Sequence, residues 1–184
     1  MNKFESKSGF VNILGVPNSG KSTLINKLVG KKVSIVSHKV QTTRFCVRGI
    51  CTYSFENLSK SQIIFIDTPG IFPAKRRLDK AMVSAAWSEL KHSDKVIFIH
   101  DVTKSFENNS LDVINEIFKI KTDVILVLNK IDLLPKDNLL KKIQYIQSLY
   151  DFAKVFLVSA KNGSGCNELI EYLAYSMPIH PFMY

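Results

Sequence analysis

The stretch FVNILGVPNSGKSTLINKLV, Phe10–Val29, decides the fold. An apolar run at Phe10–Leu14 leads into G-x-x-x-x-G-K-S at Gly15–Ser22, and a helix-like run follows over Ser22–Val29. Strand, glycine-rich turn and helix in that order are the context in which this pattern forms a phosphate-binding P-loop. Gly15 and Gly20 let the backbone bend until successive N–H groups face one anion, and the helix adds the positive end of its dipole. The cradle is expected to comprise Gly15, Val16, Pro17, Asn18, Ser19, Gly20, Lys21, Ser22 and Thr23, with Lys21 as a point charge between the outer phosphates. The hydroxyl of Ser22 suits Mg²⁺, a hard cation that takes few protein oxygens and leaves its other positions to water and phosphate.

Three more segments lie downstream, each after an apolar run. DTPG (Asp67, Thr68, Pro69, Gly70) follows Ile63–Ile66, NKID (Asn129 to Asp132) follows Val124–Leu128, and SAK (Ser159, Ala160, Lys161) follows Val155–Val158. Singly each has an ordinary reading: DTPG is also a turn sequence, and a tripeptide such as SAK carries almost no information. Their order and placement carry the argument. Asp67 is expected at the carboxyl edge of a strand, facing the metal, and Gly70, without a side chain, allows its N–H to approach the terminal phosphate.

NKID selects the base. A carboxylate at Asp132 offers two acceptor oxygens, matching the N1–H and exocyclic amine of guanine, whereas adenine offers neither there. Such a site rejects adenine by leaving a carboxylate unpaired. Asn129 is expected where the purine lies, Lys130 with its stem along the base, and the Ala160 N–H as a donor to the guanine oxygen. The expected ligand is therefore GTP or GDP with Mg²⁺, and NKID argues against a P-loop kinase or ATPase.

Strands are expected near Phe10–Leu14, Phe45–Phe55, Gln62–Ile66, Lys95–His100, Asp123–Leu128 and Val155–Val158. Leu111, Ile114 and Phe118 share one helical face, as do Leu139, Ile143 and Ile146. Nearly continuous apolar strands alternating with such helices imply an α/β fold, a mostly parallel six-stranded sheet with helices on both faces. Phe45–Phe55, long and mixed in polarity, is expected as an antiparallel edge. Ligands of such sheets bind beyond the carboxyl ends of the strands, where Gly15, Asp67 and Asn129 all emerge.

At 184 residues and 46% hydrophobic the chain suits one domain with a substantial core. Its longest apolar runs are far too short to cross a bilayer, and the polar start Met1–Gly9 lacks a signal-peptide hydrophobic segment. Cys46, Cys51 and Cys166 form neither a metal-ligand spacing nor an even disulfide set, so reduced thiols in a cytoplasmic setting are expected. Lys and Arg total 25 against 16 Asp and Glu, a net charge of +9, with clusters at Lys31–Lys32, Lys75–Arg77 and Lys141–Lys142. That balance suits salt-sensitive attraction to RNA phosphate.

Between the first helix and the edge strand, Lys31–Arg44 is long, polar and aperiodic, and is expected to be a switch loop. Thr42 and Thr43 are the candidates to complete the Mg²⁺ shell when a γ-phosphate is present, with Thr43 favoured.

With their spacing, GVPNSGKSTLINKLVG, QTTR, DTPG, NKID and SAK resemble the GTPase domain of the Era family of bacterial ribosome-assembly GTPases over about Gly9–Met177. PNSGKST paired with QTTR and DTPG is the most specific part, because relatives acting in tRNA modification or on the large subunit share the P-loop and differ in the switches. The resemblance implies a Ras-like P-loop NTPase fold, Mg²⁺-dependent GTP hydrolysis, a role in small (30S) ribosomal subunit assembly with small-subunit rRNA as partner, and peripheral association with the inner membrane. It divides the chain into an N-terminal tail (1–8), a GTPase domain (9–177) and the start of a linker (178–184) to a C-terminal RNA-binding KH domain. No KH-type GXXG loop follows, so a chain shortened at an exposed linker is expected, with most RNA binding carried by residues outside it.

Ras-like enzymes orient the attacking water with a glutamine after the DxxG segment, and here that position is Ile71. The resemblance implies another route, in which Asn18 helps bind K⁺ and the ion stands in for the charge of an arginine finger. Lys21, Thr43, Gly70 and Asn18 are then the expected catalytic set, with slow turnover raised by K⁺ or by the ribosome. Two other readings stay open: a related GTPase of tRNA modification or large-subunit assembly, and a non-hydrolysing GTP-dependent binding module.

Overall fold

A strand that is apolar at every position must be covered on both faces, and the alternation of side chains along it divides the core in two. The computed structural model describes residues 6–30, 41–42, 45–56, 59–67, 90–107, 109–121 and 123–184. Its elements are β1 (Lys7–Leu14), α1 (Lys21–Val29), β2 (Gln41–Thr42), β3 (Phe45–Ser54), β4 (Lys60–Asp67), β5 (Lys95–Asp101), α2 (Asn109–Phe118), β6 (Val124–Asn129), α3 (Lys136–Leu149), β7 (Lys154–Val158) and α4 (Cys166–Ser176). The strands form one sheet in the order β2-β3-β4-β1-β5-β6-β7. β4, β1, β5, β6 and β7 are mutually parallel, and β3 runs antiparallel to β4.

Val11, Ile13, Ile97, Ile99, Ile125 and Val127 pack on one face against Leu24, Ile25 and Leu28 of α1 and Leu169 and Leu173 of α4. Their chain neighbours Val96, Phe98, Val124, Leu126 and Leu128 pack on the other face with Ile114 and Ile117 of α2 and Leu139 and Ile146 of α3. Each wholly buried side chain of this kind contributes roughly 1.5–3 kcal/mol. The sheet and its helices thus hold the fold, and the loops beyond the strand ends are left to carry chemistry.

The six expected strands are all present, with two differences. A two-residue strand, β2, pairs with β3, so β3 is antiparallel without being the outermost strand. The strands also run longer than their apolar cores: β1 begins at Lys7 and β4 at Lys60, taking in Ser8, Ser61 and Gln62, which are buried. Cys51 and Cys166 are buried in the core facing α1 and α4. Among the described residues no helix is long and apolar enough to cross a membrane.

The polar starts of β1 and β4 are buried because the end of the chain lies along them. Lys7 forms an antiparallel bridge with Ile179, the Ser8 N–H donates to the Pro178 carbonyl (3.1 Å), and the His180 N–H to the Ser6 carbonyl (3.0 Å). Gln62 closes the arrangement. Its Oε1 accepts from the backbone N–H groups of Met183 (2.9 Å) and Tyr184 (3.2 Å), while its Nε2 donates to the Tyr184 carbonyl (2.8 Å). Ser6–Ser8 and 178–184, expected as tail and linker, therefore pack together at the amino edge of the sheet.

An amide that satisfies three backbone groups leaves them unpaired when it is removed. Gln62→Ala is expected to lower the unfolding free energy by about 1–3 kcal/mol in urea titration, and to speed hydrogen exchange at the Met183 and Tyr184 amides. Unchanged exchange there would show that the clamp does not hold the segment.

Candidate nucleotide site

β1 lies between β4 and β5, where the strand order reverses, and such a switch point opens a crevice at the carboxyl ends of the strands. The chain leaves β1 through Gly15, where a Cβ would lie 2.3 Å from the Ile99 carbonyl oxygen, so only glycine fits. Gly20, at φ +98°, ends the loop with its α-carbon so close to Asn129 that a Cβ would stand 2.2 Å from Nδ2. Asn18 has φ +62°, in the left-handed region that asparagine tolerates better than most residues. Helix α1 then begins, with the Leu24 N–H on the Gly20 carbonyl at 2.9 Å.

The loop is fastened from outside through its carbonyl oxygens. Lys21 Nζ donates to Gly15 O (2.7 Å) and Val16 O (3.1 Å). Lys130 Nζ donates to Asn18 O at 2.9 Å, and Asn129 Nδ2 to Ser19 O at 2.9 Å. The other end of the buried Asn129 amide, Oδ1, accepts from the Ala160 N–H at 3.0 Å. One side chain therefore joins the P-loop, the end of β6 and the SAK loop. Both ends of Asn129 bind protein here, and the Ala160 N–H donates to Asn129, a different partner from the guanine oxygen expected for it.

Lys130, in the left-handed region at φ +66°, turns the chain out of β6 into a 3₁₀ turn, Ile131–Leu133, on which Asp132 is exposed. Ser159 is buried, its N–H on the Ser164 carbonyl (2.9 Å) and its own carbonyl accepting from Gly163 (2.7 Å), so SAK opens a tight loop rather than an extended one. Lys161 is exposed.

Two of the three expected Mg²⁺ ligands lie on described backbone at this carboxyl edge. Ser22 is exposed in the first turn of α1, and Asp67 closes β4 in parallel register with Ile13, two residues before Gly15. A hydroxyl and a carboxylate are the hard-oxygen donors Mg²⁺ takes, one or two at a time. Among the described residues no group of three or more His, Cys, Asp or Glu is placed to hold a metal, so an ion that requires an all-protein shell has no such cluster there. Thr43, Thr68, Pro69, Gly70 and Ile71 lie outside the described residues, as do 31–40 of the expected switch and the cluster Lys75–Arg77.

Asp101, at the end of β5 in register with Asn129, was not among the expected site residues. Its Oδ2 accepts from Lys130 Nζ at 2.6 Å, and its Oδ1 from the N–H (2.9 Å) and hydroxyl (2.7 Å) of Thr103. Burial raises the carboxyl pKa, but the bonds from Lys130 and Thr103 outweigh it and hold the group below its ordinary value. A weaker form of the Asp67 signal is present in the sequence: Asp101 follows the apolar run Val96–Ile99 after one intervening residue, His100, whereas Asp67 follows Ile63–Ile66 directly. Lys142, counted within an expected basic cluster, instead donates to the Val102 (2.5 Å) and Lys104 (2.8 Å) carbonyls and braces the same turn.

Residues 10–130 match the protein family described as 50S ribosome-binding GTPase. The chain is 46% identical over 180 residues to the GTPase Era of Brucella suis biovar 1 (strain 1330), an alignment that covers 98% of this chain and 56% of that protein. It is similar in structure to Era in complex with MgGDPNP and nucleotides 1506–1542 of 16S ribosomal RNA, with TM-score 0.78 and 35% identity over 97% of this chain and 60% of that one. An Aquifex aeolicus Era variant bound to GDP and AlF₄⁻ gives TM-score 0.78 and 36% identity over the same shares. The chain thus spans just over half the length of the relatives it matches.

Beside Asp101 the buried His100 ring packs edge-on against Phe106 at 4.9 Å. Its nitrogens lie 3.4 Å from the Lys104 carbonyl oxygen and 3.4 Å from the Ser110 hydroxyl. Burial pushes its pKa down from 6.5 to about 4; the Lys104 carbonyl opposes that, the Lys142 charge adds to it, and Asp101 opposes it. A histidine held neutral in the fold binds a proton more readily when unfolded, so its contribution is complete above pH 6.5 and is lost as pH falls toward 4. His100→Gln is expected to remove up to about 3 kcal/mol of acid-side slope in that window, read from urea midpoints at pH 7, 5.5 and 4. An unchanged slope would mean that other groups carry the acid sensitivity.

Proposed function

Because the chain belongs to the 50S ribosome-binding GTPase family, which matches its residues 10–130, we propose that it binds GTP and hydrolyses it to GDP and phosphate as a Mg²⁺-dependent switch in ribosome assembly. The observation that carries the reading is the pair of contacts Asn129–Ser19 and Lys130–Asn18, which seat NKID directly on the P-loop. A ligand recognised at both must have a base at one end and phosphates at the other. Asp132, exposed on its turn, is the carboxylate available to a guanine edge.

In this reading the P-loop N–H groups and Lys21 hold the phosphates, and Ser22, Asp67 and Thr43 hold Mg²⁺. The ion, when bound, supplies positive charge to the phosphate oxygens. The Gly70 N–H meets the terminal phosphate and reports its loss. Asn18 is the proposed K⁺ ligand. Its left-handed backbone gives its residue type a second use in the turn, and the two uses are compatible because the side chain is exposed.

The small subunit is the favoured target, since the similar Era structure holds a 16S ribosomal RNA segment together with MgGDPNP. The family description favours the large subunit as the second reading. Binding of the GTP-loaded chain to purified 30S and 50S particles separates the two. A cytoplasmic setting follows from this role, and the excess of Lys and Arg over acids suits rRNA or an anionic inner-membrane surface.

Turnover of GTP and ATP with Mg²⁺, measured in KCl and then in NaCl, tests the proposal. GTP-specific, K⁺-stimulated hydrolysis is expected; GTP binding without turnover in either salt would favour the non-hydrolysing module, and ATP turnover would sink the base assignment. Asp132→Asn is expected to weaken GTP about 10- to 100-fold, as for a lost charged hydrogen-bond partner. It should also bring a gain for xanthosine triphosphate, whose base carries an oxygen in place of the amine. Unchanged GTP affinity would remove Asp132 from the site.

A further inference from the structure

Resting on the nucleotide-binding reading above, we infer that Asp101 is a positioning residue for guanine nucleotides, acting through Lys130. A lysine stem laid along a base is useful only if it is held there, because its four-carbon chain otherwise loses rotamer freedom each time the ligand binds. The held geometry is built into the fold. Lys130 Nζ is fixed between Asp101 Oδ2 at 2.6 Å and Asn18 O at 2.9 Å, with the lysine side chain 33% exposed and the aspartate 5%. The exposed length is what a ligand meets; the buried carboxylate is out of its reach.

Asp101 is itself immobilised. Thr103 donates twice to Oδ1, the Lys104 N–H donates to the Asp101 carbonyl at 3.0 Å, and the Val102 N–H donates to the Asn129 carbonyl at 3.0 Å. Asp101 and Asn129 are partners in the β5–β6 register, so the anchor and the residue before Lys130 stand side by side on a rigid sheet. The charge matters as well as the bond. A single neutral carbonyl would hold an ammonium group weakly, while the desolvated carboxylate makes a short charge-assisted bond and depends on Lys130 in return. Without Asp101, Lys130 swings into water and must be ordered anew by each nucleotide, so the loss appears as faster release.

The test is a double-mutant cycle on GDP affinity and dissociation rate with Asp101→Ala, Lys130→Ala and the pair, using fluorescent GDP. Asp101→Ala is expected to raise the GDP Kd about tenfold, mainly through dissociation, as for a lost charged hydrogen-bond partner. Lys130→Ala should do as much or more, and the double variant should be no weaker than Lys130→Ala alone, the non-additivity of two groups acting as one unit. Additive losses, which a merely structural aspartate would give, or wild-type affinity in Asp101→Ala, overturn the inference. Absence of guanine-nucleotide binding by the wild type overturns the reading beneath it and is seen separately. If Asp101→Ala loses its cooperative melt, Thr103→Val, which removes one bond to Oδ1, takes its place. A weakening of about two- to fivefold is then expected, because Thr103 acts on Lys130 only through the carboxylate, which keeps its Lys130 bond and its Thr103 N–H bond, and only where Lys130 is present. Equal GDP affinity of Thr103→Val and wild type overturns the inference.

Discussion

Along the P-loop the carbonyl oxygens of Gly15, Val16, Asn18, Ser19 and Gly20 each accept a hydrogen bond from the protein itself. The rest of the site depends on this. A planar peptide group whose oxygen is tied down on one side presents its N–H toward the other. The exceptions are the Val16 carbonyl, whose peptide partner Pro17 has no N–H, and the Asn18 carbonyl, whose partner, the Ser19 N–H, donates to the Val16 carbonyl at 3.3 Å. The peptides of Gly15, Ser19 and Gly20 are the ones oriented to build an anion-binding concavity. The donors come from two elements: Lys21 and the Leu24 N–H from the first turn of α1, and Lys130 and Asn129 from the end of β6. The shape of the loop is therefore set by the whole carboxyl edge of the sheet. It explains why a glycine-rich loop, which alone would sample many conformations, has one here.

The same contacts explain residue choices that conformational freedom alone does not. Gly20 needs its left-handed φ, but it also needs the room its missing Cβ leaves, because the Asn129 amide occupies that space. Asn129 is amide rather than acid because it must donate to Ser19 O with one end and accept from the Ala160 N–H with the other. A carboxylate would meet the Ser19 oxygen with repulsion, and a hydrocarbon would leave two backbone groups unpaired in the interior. In the proposed reading, nucleotide recognition and loop construction thus fall to different residues of one short motif: Asn129 builds, the exposed Asp132 reads, and Lys130 does both.

Much of the sheet was legible in the sequence because its strands are buried on both faces and read as apolar runs bounded by turn residues. Legibility fails where burial is not local. Ser8, Ser61 and Gln62 look like surface residues, and they are buried only because residues 178–184 return along them, a pairing across more than a hundred positions. The site follows the same division. The P-loop glycines and Asp132 are set by chemistry that a motif displays, whereas the partner of the Ala160 N–H depends on where β6 and β7 end in register, Asn129 opposite Val158. Asp101 was overlooked for a simpler reason. It carries nearly the same mark as Asp67, an acid just past an apolar run with His100 between, but no phosphate-binding pattern surrounds it to give the mark a meaning.

Since GTP and GDP share their base and sugar, nothing fastened to the base can tell them apart. Asn129, Lys130, Asp101 and Ala160 form a network whose members are anchored to adjacent strands, β5, β6 and β7, and to the P-loop. In the proposed reading, a network so cross-braced keeps its hold on the base whichever nucleotide is bound. Discrimination of the γ-phosphate has to come from the opposite side of the P-loop, from chain that leaves α1 and β4 rather than β6. In the proposed reading those two roles fall on opposite sides of β1, which lies between β4 and β5. On the proposed mechanism, one side would respond to hydrolysis while the other keeps its grip on the base, and among the described residues the P-loop, whose carbonyls are bonded to the protein, lies between them.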